Sequence, residues 1–117
     1  MRIFCLEDNP LIVFHIEHLI DDMGHVFAGA LESFYDLKEN FCAFEFDAAL
    51  VDIDLADGRT GPSAAAWLLE RGIRTIFVTG QEQIADQHRD VAIAIIGKPI
   101  SAADFAAKLR LFSAVDK

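Results

Sequence analysis

The sequence predicts a doubly wound α/β domain, a five-stranded parallel sheet in the order 2-1-3-4-5 with helices on both faces. Three observations predict it. Short apolar runs alternate with helical patterns five times over, with no internal repeat, linker or low-complexity segment; such alternation implies parallel strands joined by right-handed helical crossovers. Four of the runs stop at groups able to do chemistry: Glu7-Asp8, Asp52, Thr79 and Lys98. At 117 residues the chain is one domain, residues 1–117, long enough to bury a core of its own.

The first strand covers about residues 2 to 6, and Asn9 and Pro10 then supply an N-cap and a first helical residue. Helix one is expected to run to about Met23. Leu11, Ile12, Phe14, Ile16, Leu19 and Ile20 form a broad apolar stripe, with Glu17, Asp21 and Asp22 pointing away. Gly24 ends it. His25 to Ala30 suits an edge strand, and Ser33 can cap a second helix over about Phe34 to Phe44. Ala48-Ala49-Leu50-Val51 is uninterrupted and apolar, as in a central strand buried on both faces, and it stops abruptly at Asp52.

Gly58, Gly61 and Pro62 punctuate the acidic loop that follows, before a helical run, Ala64 to Leu69, stopped at Gly72. The fourth strand is Thr75 to Val78. Gln81 to Asp90 is polar and reads as a short, weakly amphipathic helix with loop at either end. The fifth strand, Ile93 to Ile96, runs into Gly97-Lys98-Pro99. Ser101 with Asp104 three residues later resembles a capping box for a last helix reaching about Ala114. For five such units the flavodoxin-like order is the natural choice, because it sets strands one, three, four and five side by side at the switch point where ligands bind.

Composition excludes several functions. A net charge of −9 opposes nonspecific binding to nucleic acid or to an anionic membrane; a basic protein partner or a metal ion fits better. With 53% hydrophobic residues and ten Phe, disorder is not expected. Cys5 and Cys42 are read as buried thiols rather than a disulfide. No apolar run approaches the roughly 18 residues that span a bilayer, so a soluble, cytoplasmic protein is expected.

Carboxylates gathered at one crevice repel one another unless a cation or a shared proton relieves them. A few carboxylates with positions left open to water and phosphate favour Mg²⁺. Lys98 supplies a fixed positive charge, Thr79 a hydrogen bond, and Asp52 a carboxylate that can carry a phosphoryl group.

The ordered set Glu7-Asp8, Asp52, Thr79 and Lys98-Pro99 resembles the receiver domain of two-component response regulators over essentially the whole chain. The resemblance implies that Asp52 is phosphorylated by a histidine kinase or a histidine phosphotransfer protein. It implies that Asp8 and Asp52 ligate Mg²⁺ directly, that Glu7 acts partly through water, and that the backbone carbonyl of Asp54 completes the protein ligands. It also implies a cis Lys98-Pro99 peptide. Asp54 and Gln81, two residues after the acceptor and the threonine, match places that tune dephosphorylation. Few residues follow the last predicted helix, so a stand-alone receiver is expected, signalling to an unknown downstream protein or acting as a phosphate sink. Ile95, Phe105, Leu109 and Phe112 are candidates for a homodimer face running from the fourth helix to the fifth.

Three features depart from the common pattern. Ile95 stands where most receivers have a switch aromatic. Phe77-Val78-Thr79-Gly80 is similar to the Phe-Ala-Thr-Gly run of atypical, mostly single-domain receivers common in alphaproteobacteria, which also lack that aromatic. The loop Asp57 to Gly61 is about one residue longer than usual, with Ala56 where proline is frequent. The missing aromatic leaves open a pseudo-receiver that docks without being phosphorylated.

Asp52-Ile53-Asp54 also has the Asp-x-Asp form of a haloacid-dehalogenase-type phosphatase, but that chemistry needs its nucleophile on the first strand. A calcium loop through Asp52, Asp54, Asp57 and Gly58 has Asp57 at the sixth place rather than the fifth, and Ser63 where the bidentate Glu belongs. His15, Glu17 and His18 read as a partly exposed helix face, and Trp67 as packing.

Overall fold

The computed structural model describes residues 1–114. In chain order it comprises β1 (Arg2–Leu6), α1 (Pro10–Asp22), β2 (Val26–Leu31), α2 (Phe34–Asn40), β3 (Ala48–Val51), α3 (Gly61–Leu69), β4 (Arg74–Thr79), α4 (Glu82–Asp86), β5 (Ala94–Gly97) and α5 (Ala102–Ala114), with a 3₁₀ turn at Phe41–Ala43. The strands form one parallel sheet in the order β2-β1-β3-β4-β5. This is the flavodoxin-like arrangement expected from the alternation of elements.

Successive strand residues feed opposite faces, and two cores result. Phe4, Leu6, Val51 and Phe77 pack under α2 and α3 through Leu37 and Leu68. Ile3, Leu50, Ile76 and Ile96 pack under α1 and α5, where Ile16, Ile20, Phe105 and Phe112 are buried. Register then decides where the chemistry sits. Leu6 pairs with Val51, Val51 with Phe77, and Thr79 with Gly97. Glu7, Asp52, Thr79 and Lys98 therefore leave one edge of the sheet together. The Asp52 N–H donates to the Leu6 carbonyl (3.0 Å) and the Lys98 N–H to the Thr79 carbonyl (3.0 Å), fixing those exits.

Several local expectations are corrected. Leu11 and Phe14 are 77% and 59% exposed, whereas Ile16 and Ile20 are buried and Glu17 is half-buried; only part of the α1 stripe faces the sheet. Helix α2 stops at Asn40 instead of Phe44. Packing outweighs helical periodicity here: the 3₁₀ turn lets Phe44 and Phe46 close on Phe4, with ring centroids at 5.0 and 4.7 Å.

Gly61 and Pro62 are the first turn of α3 rather than loop, a position proline tolerates because the first turn's N–H groups have no intrahelical partner. Helix α4 is only five residues long, with Ala85 alone buried, because its polar sequence offers little to pack. Phe105, Leu109 and Phe112 are at most 1% exposed, and Ile95 is 7% exposed. These four residues are core and cannot form a dimer face.

Cys5 and Cys42 are both free, Cys5 buried but Cys42 exposed, against the expectation that both are buried. Among the described residues, no helix is long and apolar enough to cross a membrane.

Thr75 on β4 is fully buried, and among the described residues its Oγ1 has no hydrogen-bond partner. Thr75→Val keeps the shape and removes the unsatisfied hydroxyl, so it is expected to raise stability by about 1 kcal/mol. Thermal denaturation checks this, and a lower midpoint contradicts it.

Candidate functional site

Each group of the site is placed by a local cause. Asn9 caps α1 through its side chain, which accepts the Leu11 N–H (3.0 Å), and its own N–H donates to Glu7 Oε2 (3.1 Å). That turns Glu7 inward, leaving it 2% exposed. Asp52 follows β3 directly, is 9% exposed, and accepts the Ile53 N–H on Oδ1 (2.7 Å). Lys98 precedes a cis Pro99, and its Nζ donates to Glu7 Oε1 (2.7 Å) and to Asp52 Oδ2 (2.8 Å). Thr79 is buried, and its Oγ1 accepts the Gln81 N–H (3.0 Å). With a lone pair so engaged, the hydroxyl proton remains available to an incoming oxygen.

Burial is the largest influence on Glu7 and pushes its carboxyl above the ordinary value, outweighing the hydrogen bond from Lys98; the charge of Asp52 pushes the same way. For Lys98, burial pulls the ammonium down, but the hydrogen bonds and charges of Asp52 and Glu7 more than offset it and leave the ammonium above the usual lysine value. Lys98 is thus held charged.

Oxygens of Glu7, Asp8 and Asp52 lie within 4.8 Å of one another. Among the described residues this is the only cluster of acids, histidines or cysteines with such spacing. Three ionised carboxylates against one ammonium leave two negative charges, which one divalent cation balances. An all-oxygen, all-carboxylate donor set of this kind fits Mg²⁺. The Asp54 carbonyl lies two residues beyond Asp52 on the same loop.

The other acids of the loop have different work. Asp57 accepts the N–H groups of Phe34 (3.2 Å) and Tyr35 (3.0 Å) and the Thr60 hydroxyl (2.7 Å). It caps α2 from across the loop. Slight burial raises its carboxyl, but these hydrogen bonds prevail and hold it below the ordinary value. The carboxylate is therefore turned to α2, and a calcium loop with Asp52 is not formed.

The Asp54 side chain pairs with Arg59 Nε (3.0 Å) and with the Gln81 amide. Arg59 is the one participant that sequence reasoning missed, since a lone arginine in a polar loop carries no signal. His15 and His18 are exposed on α1, with His18 against the Phe14 ring (4.3 Å).

The architecture is that of the CheY-like response-regulator receiver domains. Among solved structures, the chain is similar to the PhyR response-regulator receiver domain of Erythrobacter litoralis, at 26% identity and a TM-score of 0.84, covering 95% of this chain and 88% of that one. It is similar to the anti-anti-sigma factor PhyR of Bartonella quintana at 26% identity and a TM-score of 0.76; that match covers 90% of this chain but only 44% of the longer protein. The fold is also that of the Thermotoga maritima response regulator TrrA, solved in complex with Mg²⁺-BeF, at 17% identity and a TM-score of 0.81, covering 95% and 97% of the two chains. No family model matches the sequence, and no curated protein matches it.

Proposed function

We propose that the chain is a phosphorylatable receiver in a two-component phosphorelay. The observation that carries this is the Lys98 ammonium shared between Asp52 and Glu7 at 2.8 and 2.7 Å, with Asp8 beside them and the Thr79 hydroxyl at the adjoining strand end. Asp52 is the phosphoacceptor. Glu7, Asp8, Asp52 and the backbone carbonyl of Asp54 hold Mg²⁺, which when bound neutralises phosphoryl oxygens.

The donor is a phosphohistidine on a sensor histidine kinase or a histidine phosphotransfer protein. Asp52 Oδ bonds phosphorus as the P–N bond breaks, and the electron pair returns to the imidazole nitrogen, which takes up a proton. Lys98 and Thr79 each hold an oxygen of the transferring group, so positioning and charge neutralisation supply the catalysis. The protein turns over no other substrate: it catalyses its own phosphorylation and the slow hydrolysis of its aspartyl phosphate.

Output is by binding a downstream protein or by draining phosphoryl groups as a sink, in the cytoplasm. The likeness to two PhyR structures, one of them an anti-anti-sigma factor, supports a protein partner. A second reading, a docking module that is never phosphorylated, draws on Ile95, an aliphatic side chain packed in the core where a switch aromatic is usual.

Intact-mass measurement after incubation with Mg²⁺ and acetyl phosphate separates the two. A phosphoryl adduct is expected on the wild type and none on Asp52→Asn. No adduct together with no beryllofluoride binding by the folded wild type favours the docking module.

A further inference from the structure

Asp54, Arg59 and Gln81 close a three-membered ring of side chains outside the acidic pocket. Arg59 Nε donates to Asp54 Oδ1 (3.0 Å), Arg59 Nη2 donates to Gln81 Oε1 (3.0 Å), and Gln81 Nε2 donates to Asp54 Oδ2. The ring joins the loop after β3 to the loop after β4. On one side it stands two residues from Asp52. On the other it is chained to Thr79, whose Oγ1 takes the Gln81 backbone N–H (3.0 Å). It therefore spans the mouth between the acceptor and the hydroxyl.

Within the ring both carboxylate oxygens of Asp54 and both amide atoms of Gln81 are engaged. The Asp54 side chain stays 45% exposed, so what the ring fixes is the direction of these groups rather than their access to water. The guanidinium holds both partners through one planar, rigid fork of donors. The ring is half in solvent, with Arg59 and Asp54 side chains 55% and 45% exposed. Exposed ion pairs of this kind contribute little to folding, so stability does not explain it.

We propose that Arg59 is a positioning residue that prolongs the aspartyl phosphate by withholding Asp54 and Gln81 from the attacking water. This rests on Asp52 being the phosphoacceptor. In the hydrolysis, the water oxygen bonds phosphorus and the bond from phosphorus to Asp52 breaks. Its electron pair returns to the carboxylate, and both water protons leave on dihydrogen phosphate. Water must come from the open side of the phosphoryl group, opposite Asp52. A side chain freed at the mouth can turn toward that water, accept its hydrogen bond and orient it; one tied into the ring is held in a fixed direction by two hydrogen bonds. Arg59→Ala frees both.

The test loads the full chain with acetyl phosphate and Mg²⁺, removes the donor, and follows the adduct by intact mass. Arg59→Ala is expected to shorten the adduct lifetime about tenfold, the rate equivalent of one charge-assisted hydrogen bond gained in the transition state. Its affinity for beryllofluoride in Mg²⁺ stays within about twofold of wild type, on the same factor-of-ten scale, because no pocket group is lost. In an Asp54→Ala/Gln81→Ala background, adding Arg59→Ala changes the lifetime no further. Arg59→Lys keeps the ion pair with Asp54 but not the fork, and falls between Arg59→Ala and wild type.

An Arg59→Ala lifetime equal to wild type overturns the proposal, as does the same acceleration in the background lacking both partners. A wild type that neither forms an adduct nor binds beryllofluoride instead overturns the phosphoacceptor reading, and this inference with it.

Discussion

Gly61→Ala is expected to cost about 3 kcal/mol or more, the upper end of the range for overpacking a core, and to abolish the phosphoryl adduct. An alanine Cβ at this position would lie 2.0 Å from the Asp52 carbonyl oxygen, 2.6 Å from Ile53 Cα and 2.8 Å from the Asp52 carbonyl carbon. All three are backbone atoms, so no rotamer change relieves the clash. Helix α3 must back away from β3, which breaks the bond from the Gly61 N–H to the Ile53 carbonyl (3.0 Å) and opens the packing of the fully buried Ala64, Ala65 and Leu68. Asp52 moves with it.

Gly97→Ala is the control. The nearest atoms to its Cβ are the carboxylate end of Glu82, at 2.9 Å. Glu82 is exposed and can swing away, so the cost stays near the roughly 0.5 kcal/mol of an ordinary surface change. Urea unfolding of the two variants decides the matter: equal midpoints would show that backbone contact at Gly61 is not what the site depends on.

Lys98→Met is expected to lose about 3 kcal/mol in the absence of a divalent cation, the usual cost of removing one partner from a buried ion pair. Glu7 and Asp52 side chains, 2% and 11% exposed, then face each other without the ammonium. Added Mg²⁺ restores part of the loss, since it neutralises the same carboxylates. Phosphorylation by acetyl phosphate slows about a hundredfold, as when one fixed donor to a developing charge is removed.

The pH dependence has a definite sign. The folded-state pKa of Lys98 is raised, so its contribution is fully present below the unfolded lysine value and is lost as pH rises through the folded one. On the alkaline side the gap between wild type and Lys98→Met therefore closes only above the ordinary lysine value; on the acid side it narrows as Glu7, whose carboxyl lies above the ordinary value, takes up a proton. A gap that closes in mildly alkaline solution would assign the stabilisation to another group.

The legible features were those carried by contiguous residues. Apolar runs of four to six residues between punctuating Gly, Pro, Asn and Ser gave the strands within a residue or two at each end, because burial in the sheet favours apolar side chains. The same runs marked their own ends. Glu7, Asp52, Thr79 and Lys98 were visible as the first polar residues after them, and parallel order alone brings such ends to one edge. The Asn9 and Ser33 caps were legible locally as well, whereas the cis peptide at Lys98-Pro99 was expected from the receiver resemblance alone.

Less legible were features that depend on which neighbour an element meets. Leu11 and Phe14 have the periodicity of a core face, but Ile16 and Ile20 take the places against the sheet and leave them in solvent. Phe105, Leu109 and Phe112 fit a dimer face as well as a core until α5 is laid on the sheet. Phe44 prolongs a helical pattern until Phe4 offers its ring a better place.

By itself, the sequence determined the order of elements, the class of the fold and the identity of the acids, hydroxyl and lysine at the strand ends, since each follows from hydrophobic patterning within a few residues. Only the tertiary structure decided that Gly61 lies against the backbone of Asp52, that Asp57 caps α2, and that Arg59 ties Asp54 to Gln81. Those contacts depend on how the loop after β3 folds back on itself and meets its neighbours, which is set by how helices pack on the sheet, and no local pattern of polarity encodes it.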